Sequence, residues 1–162
     1  MQARRQLLGG GALAGLLAWL GSSRRPVRAA GTSGFAITHT DEEWRRLLKP
    51  AQYQILRQHG TEPAGSSPLD HEFRKGTYSC AGCELPLFAS DTKFDSGTGW
   101  PSFWKPIDGA VGTSTDRSFF MERTEVHCSQ CGGHLGHVFN DGPPPTGLRY
   151  CMNGTALIFQ AA

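Results

Sequence analysis

The sequence predicts a mainly β domain of the α+β class, entered through two short helices and stapled by a four-cysteine zinc site. Three observations carry this. Beyond residue 70 the apolar runs are short, aromatic or β-branched, and broken by Gly, Pro and Asp, the pattern of antiparallel sheet. Between residues 40 and 60 apolar residues recur at helical spacing between start and stop signals. Two Cys-x-x-Cys pairs, Cys80/Cys83 and Cys128/Cys131, are separated by 44 residues.

In chain order, residues 1–29 read as an export signal. Arg4-Arg5 followed by Gln6-Leu7-Leu8 has the twin-arginine form. Residues 6–23 are uncharged, and Val27-Arg28-Ala29-Ala30 offers a small-residue cleavage site. The expectation is a cleaved signal and an exported, periplasmic protein with no stable membrane association. An uncleaved anchor is the alternative, because 18 uncharged residues can just span a bilayer. Residues 30–34 are a short linker and 35–160 the domain.

Thr40-Asp41-Glu42-Glu43 has the form of a capping box and opens a first helix carrying Trp44, Leu47 and Leu48. Pro50 opens a second with Tyr53, Ile55 and Leu56, which Gly60 is placed to end. Thr61 to Asp70 reads as loop. Strands are expected at Gly76–Ser79, Thr92–Phe94, Ser118–Arg123, Gly147–Met152 and Thr155–Phe159.

Charge narrows the function. The 162 residues carry a formal +2, but five arginines and no acid lie in residues 1–29. The remainder holds 11 basic against 14 acidic residues, a net of −3, which is no footprint for nucleic acid. With 38% hydrophobic residues the chain is not a disordered one.

Two thiolates on a tight turn can occupy neighbouring corners of a tetrahedron, and two such turns complete a closed structural zinc site. Cys80, Cys83, Cys128 and Cys131 are therefore expected to bind one Zn2+, with no open position and no catalytic role. Two disulfides are the alternative. A redox-active pair is disfavoured, since neither lies in a βαβ pattern.

Of five cysteines, Cys151 is left over. If Arg149-Tyr150-Cys151-Met152-Asn153 is a strand, Arg149, Cys151 and Asn153 share a face. A guanidinium there favours the reactive thiolate; a buried, inert cysteine is the alternative. Two further constellations suggest a site. His134-Leu135-Gly136-His137 follows the second cysteine pair, and its histidines can serve one site only if Gly136 bends the chain. Gly97-Thr98-Gly99-Trp100-Pro101-Ser102-Phe103-Trp104 could form an apolar wall for a small substrate group. His39, His59, His71 and His127 are read as surface or packing residues.

These blocks, with Gly60-Thr61-Glu62-Pro63 and Lys93-Phe94-Asp95-Ser96-Gly97, resemble the peptide-methionine (R)-sulfoxide reductases, the B type, from Phe35 to Gln160. The resemblance implies two antiparallel sheets with helices at the N-terminal side, stapled by zinc. It implies reduction of the R epimer of methionine sulfoxide, free or in proteins, back to methionine; a monomer and a thioredoxin-like reductant are this sequence's own expectations. By matching positions, Cys151 is the nucleophile. His134, His137 and Asn153 surround the sulfoxide oxygen, Arg149 helps set the thiolate, and Trp100 cradles the substrate methyl; Phe103 is expected beside it as part of the same apolar wall. The sequence departs from many members at Thr98, where they carry a resolving cysteine.

The chemistry agrees. A sulfoxide sulfur is a poor electrophile whose oxygen must be protonated to leave, so the site needs a thiolate on one side and a proton donor on the other. Attack leaves Cys151 as a sulfenic acid. With no cysteine to spare, that acid is expected to be reduced by an external thiol. The competing class is a zinc-stapled binding module in which Cys151 is inert and the aromatics hold a partner.

Overall fold

The computed structural model describes residues 34–118 and 121–162; the export signal and most of the linker expected at residues 1–34 lie outside the described residues. No helix among the described residues is long and apolar enough to cross a membrane.

Two helices lead in. In α1 (Asp41–Leu47) the Glu43 amide donates to Thr40 Oγ1 at 3.2 Å, and the Thr40 amide donates back to Glu43 Oε2 at 2.8 Å. Each bond satisfies a backbone donor left over at the helix start. Its apolar stripe is narrower than expected: Trp44 and the following Leu48 are buried, but Leu47 is 61% exposed. Pro50 is the first residue of α2 (Pro50–Gln58), which buries Tyr53, Ile55 and Leu56. The left-handed residue that ends it is His59 (φ 54°, ψ 36°) and not Gly60. Gly60 is needed one step later, where a Cβ would stand 2.9 Å from the Gln54 carbonyl oxygen.

Nine strands follow among the described residues: β1 (Gly76–Cys80), β2 (Pro86–Ala89), β3 (Lys93–Phe94), β4 (Ser102–Phe103), β5 (Val111–Asp116), β6 (Arg123–Cys128), β7 (His134–Phe139), β8 (Arg149–Met152) and β9 (Leu157–Ala161). They form two antiparallel sheets, ordered β2-β1-β9 and β3-β4-β8-β7-β6-β5. The core between them is aromatic. Phe88 stacks on Phe103 at 4.3 Å between ring centres, and Tyr78 meets Phe103 edge-on at 4.9 Å.

Of the strand expected at Ser118–Arg123, residues 119 and 120 lie outside the described residues and only Arg123 is in a strand, as the first residue of β6; β2, β4, β5 and β7 are additional. Within the loop Thr61 to Asp70 a 3-10 turn forms at Pro68–His71, and another, Gly154–Ala156, delays β9 to Leu157.

Candidate active site

The two Cys-x-x-Cys turns are built alike. In the first, the Glu84 amide donates to the Cys80 carbonyl at 2.8 Å and the Cys80 amide to that of Leu85 at 2.9 Å. In the second, Gly132 donates to the Cys128 carbonyl and Cys128 to that of Gly133, both at 2.9 Å. Each turn needs a left-handed residue after its second cysteine, Glu84 (φ 61°) or Gly132 (φ 67°). The turns bring Cys80 Sγ to 3.7 Å from Cys131 Sγ and Cys83 Sγ to 3.5 Å from Cys128 Sγ, and all four sulfurs lie within 4.8 Å of one another. A tetrahedron with metal–sulfur bonds near 2.3 Å has edges of roughly 3.8 Å, so four thiolates so placed suit one metal ion. Disulfides, at about 2.05 Å, do not describe these separations. The Gly82 amide points at Cys80 Sγ at 3.4 Å, as suits a thiolate.

Cys151 stands apart from this cluster, on β8 between Ser102 of β4 and His137 of β7. It opens into a cavity of about 130 Å³ shared with Thr61, Trp100, Arg123, Gly136, His137, Phe139 and Asn153. A cavity of roughly 150 Å³ holds one benzene, so this one takes the tip of a single side chain. The thiol is half-buried and reachable.

Its ionisation departs from expectation. Burial pushes the Cys151 thiol up, and this outweighs the downward pull of the Thr98 hydroxyl, the Arg149 guanidinium and the Ser102 hydroxyl. Thr98 Oγ1 lies 3.9 Å from Cys151 Sγ, and Ser96 links Thr98 to Ser102 through two 2.8 Å hydrogen bonds. Arg149 does oppose the burial, as the sequence leads one to expect, but does not overcome it. The guanidinium is held by two bonds to Asp141, at 2.9 and 2.8 Å, and lies 4.5 Å over the Phe139 ring.

The two histidines do come to one side, by a β-bulge. Val126 of β6 pairs with Gly136, but His127 pairs with His134, so Leu135 is the extra residue on β7. The slip puts His134 and His137 5.4 Å apart between ring centres. Gly136 serves close approach: a Cβ there would collide with the Cys151 carbonyl oxygen. Only His137 lines the Cys151 cavity; His134 faces an adjoining one.

Each ring has its own carboxylate. Asp116 Oδ2 is 2.8 Å from His137 Nε2 and accepts from Arg123 at 2.7 Å. The Ser118 hydroxyl and amide, then His137 and Arg123, hold Asp116 well below the usual carboxylate range. Glu125 Oε1 is 2.7 Å from His134 Nδ1. Burial by itself would raise Glu125, but Ser114 and His134 bond to it and hold it below its ordinary value. Burial lowers His134, against the pull of Glu125.

Asn153 is buried and spends its amide on backbone, accepting from Glu62 N at 3.0 Å and donating to the Leu135 carbonyl at 3.1 Å. Glu62 ties the pocket together. Its carboxylate accepts from the Gly154 and Thr155 amides at 2.6 and 2.8 Å, and its carbonyl accepts from Trp100 Nε1 at 3.1 Å. Trp100 is thereby locked as one wall.

Phe103 is not the other wall. It is 0% exposed and belongs to the core, because alternation along β4 turns Ser102 toward Cys151 and Phe103 away. The second apolar wall is Phe139. His39 and His127 do pack, against Trp44 and Phe35, but His59 reaches Glu125 Oε1 at 2.9 Å. Asp116, Glu125 and Arg123 are not legible in the sequence as site residues, since only strand register brings them to the histidines.

Known proteins are similar to the chain over most of its described residues. The SelR domain model matches residues 48–161. The chain is 58% identical over 127 residues to "Peptide methionine sulfoxide reductase MsrB" of Leptospira interrogans, covering 78% of this chain and 97% of that one. It is 54% identical to the protein of that name from Agrobacterium fabrum, over 76% of this chain and 93% of the relative. The one from Methanosarcina barkeri is also 54% identical, over 77% and 89%.

Proposed function

The chain belongs to the MsrB family of peptide methionine sulfoxide reductases, and on that premise we propose that it reduces the R epimer of methionine sulfoxide, in proteins or free, with Cys151 as nucleophile. The observation that carries this is the cavity itself. A reachable thiol, an imidazole with its own carboxylate and an apolar wall converge on a space fit for one side-chain tip.

The substrate methyl lies against Trp100 and Phe139, where S–aromatic contacts contribute roughly 0.3–1.5 kcal/mol. The sulfur faces Cys151 and the oxygen faces His137, which donates the proton that makes oxygen a leaving group. Asp116 orients that ring. The Cys151 thiolate takes the oxygen: sulfoxide and thiol become thioether and sulfenic acid. One external thiol then forms a mixed disulfide with Cys151 and releases water, and a second thiol frees the enzyme.

Four of the five cysteines surround the staple and Thr98 stands beside Cys151, so an external, thioredoxin-like dithiol is the fitting reductant. We assign Zn2+ to the staple; Cys80, Cys83, Cys128 and Cys131 hold it, and it supplies rigidity without reacting. We also read residues 1–29 as a twin-arginine export signal, supported by Arg4-Arg5 and the uncharged stretch after it. N-terminal sequencing of periplasmic protein should begin at Ala30; recovery of the uncut chain in the cytoplasm would refute this.

The decisive experiment is turnover of R and S epimers of a methionine sulfoxide peptide, by the enzyme and by Cys151→Ser. The R form alone should be consumed, and only with Cys151. Activity on the S form, or undiminished activity without Cys151, overturns the assignment. Trapped oxidised enzyme should hold zinc and no disulfide within the chain.

A further inference from the structure

Behind the Cys151 cavity lies a second one of about 510 Å³, lined by His59, Asp116, Arg123, Glu125, His134 and His137 among others. On its wall, His59 Nδ1 and His134 Nδ1 both face Glu125 Oε1, at 2.9 and 2.7 Å. One ligand atom from each of the three residues lies within 4.8 Å of the other two. The three come from separate elements: the end of α2, β6 and β7.

The geometry points to a second metal site, in which His59, Glu125 and His134 bind a divalent transition ion such as Zn2+ through two imidazole nitrogens and one carboxylate oxygen. This donor set suits zinc, with a fourth position left to water from the cavity. Bonds of 2.0–2.2 Å at tetrahedral angles separate ligand atoms by roughly 3.3 Å, so the rings and the carboxylate open by about half an ångström from their hydrogen-bonded spacing. His59 can give that movement, because its side chain is 65% exposed.

The site has a different character from the cysteine staple. It sits in an open cavity and has only three protein ligands, so it fills and empties with the metal supply. Its occupancy is inhibitory, a consequence that rests on the activity proposed above. A metal on His134 Nδ1 takes the nitrogen now bonded to Glu125, pulls both groups out of their present arrangement and sets a dication beside the His137 ring.

The test starts from enzyme already holding one Zn2+ in its four-cysteine site. Calorimetric titration with Zn2+ should show one further equivalent with micromolar affinity, weakened at least tenfold by His59→Ala and by Glu125→Gln. Cys151→Ser should retain it. No second equivalent, or one indifferent to His59→Ala, overturns the site; loss in Cys151→Ser places the ion on the nucleophile and overturns it too. Turnover, each protein against its own rate before Zn2+ is added, should fall at the same Zn2+ concentrations in the wild type and resist in His59→Ala. Inhibition that is equal in both overturns the inhibitory role. The calorimetry needs no turnover, so failure of the site and failure of the assigned reaction are told apart.

Discussion

The same atom type does opposite work in two regions of this molecule. Around the staple, four sulfurs sit on turns whose backbone bonds and left-handed residues fix them toward one another. In the pocket, one sulfur sits on a strand, faces open space, and is surrounded by hydroxyls, a guanidinium and an imidazole. Backbone turns give four sulfurs the spacing of metal ligands; side chains on neighbouring strands surround the one that the proposed reaction uses. The first is local in sequence. The second is assembled by register.

Disabling the staple breaks the comparison with the largest effect. Zinc binding contributes roughly 10–16 kcal/mol in small peptides, as much as or more than the 5–15 kcal/mol that holds an ordinary domain together. Cys128→Ser, or removal of zinc by a strong chelator, should therefore abolish the cooperative thermal transition seen by circular dichroism. A zinc-free protein that melts like the native one would mean the sulfurs are bystanders.

Cys151→Ser should give the converse. Its melting temperature should stay within a few degrees of wild type, because hydroxyl for thiol at a half-buried site leaves packing nearly intact. Turnover should fall by at least roughly a thousandfold, since the hydroxyl cannot replace a thiolate nucleophile. Stability kept and chemistry lost in one variant, set beside the loss of the fold itself in the other, separates the two roles of sulfur.

The contrast also explains what can be read from the sequence. Thr40 with Glu43, Pro50, and the two cysteine pairs act within a few residues, and each is legible. Strands β5 and β6 carry mostly polar residues, Val-Gly-Thr-Ser-Thr-Asp and Arg-Thr-Glu-Val-His-Cys, so hydrophobic patterning underweights them. With those strands go Asp116, Glu125 and Arg123. Phe103 is misplaced for a related reason: nearness to Trp100 in sequence says nothing about parity on a two-residue strand. The histidine pair is legible as a pair, but the bulge at Leu135 that makes them neighbours depends on how β6 pairs.

His137→Asn should cost about 10²–10⁴ in kcat/KM, the usual worth of a general acid. Asp116→Asn should cost less, since the ring remains and only its orientation and charge balance suffer. His134→Asn falling harder than His137→Asn would move the donor to the ring behind.

Arg149→Met gives the smallest effect and the finest test. The guanidinium lowers Cys151, while burial raises it by more. The rate of alkylation by iodoacetamide should therefore keep climbing beyond the pH at which an ordinary cysteine levels off. Removing the positive charge withdraws one of the groups that favour thiolate, so the curve should move to higher pH and the rate near neutral pH should drop several-fold. The sign is fixed: a lost cation disfavours the anion beside it. Because Arg149 also lies over Phe139 and pairs with Asp141, methionine keeps the apolar contact and isolates the charge. An alkylation profile that stays put would leave Arg149 as a packing residue, and the pull on Cys151 would then belong to Thr98 and Ser102.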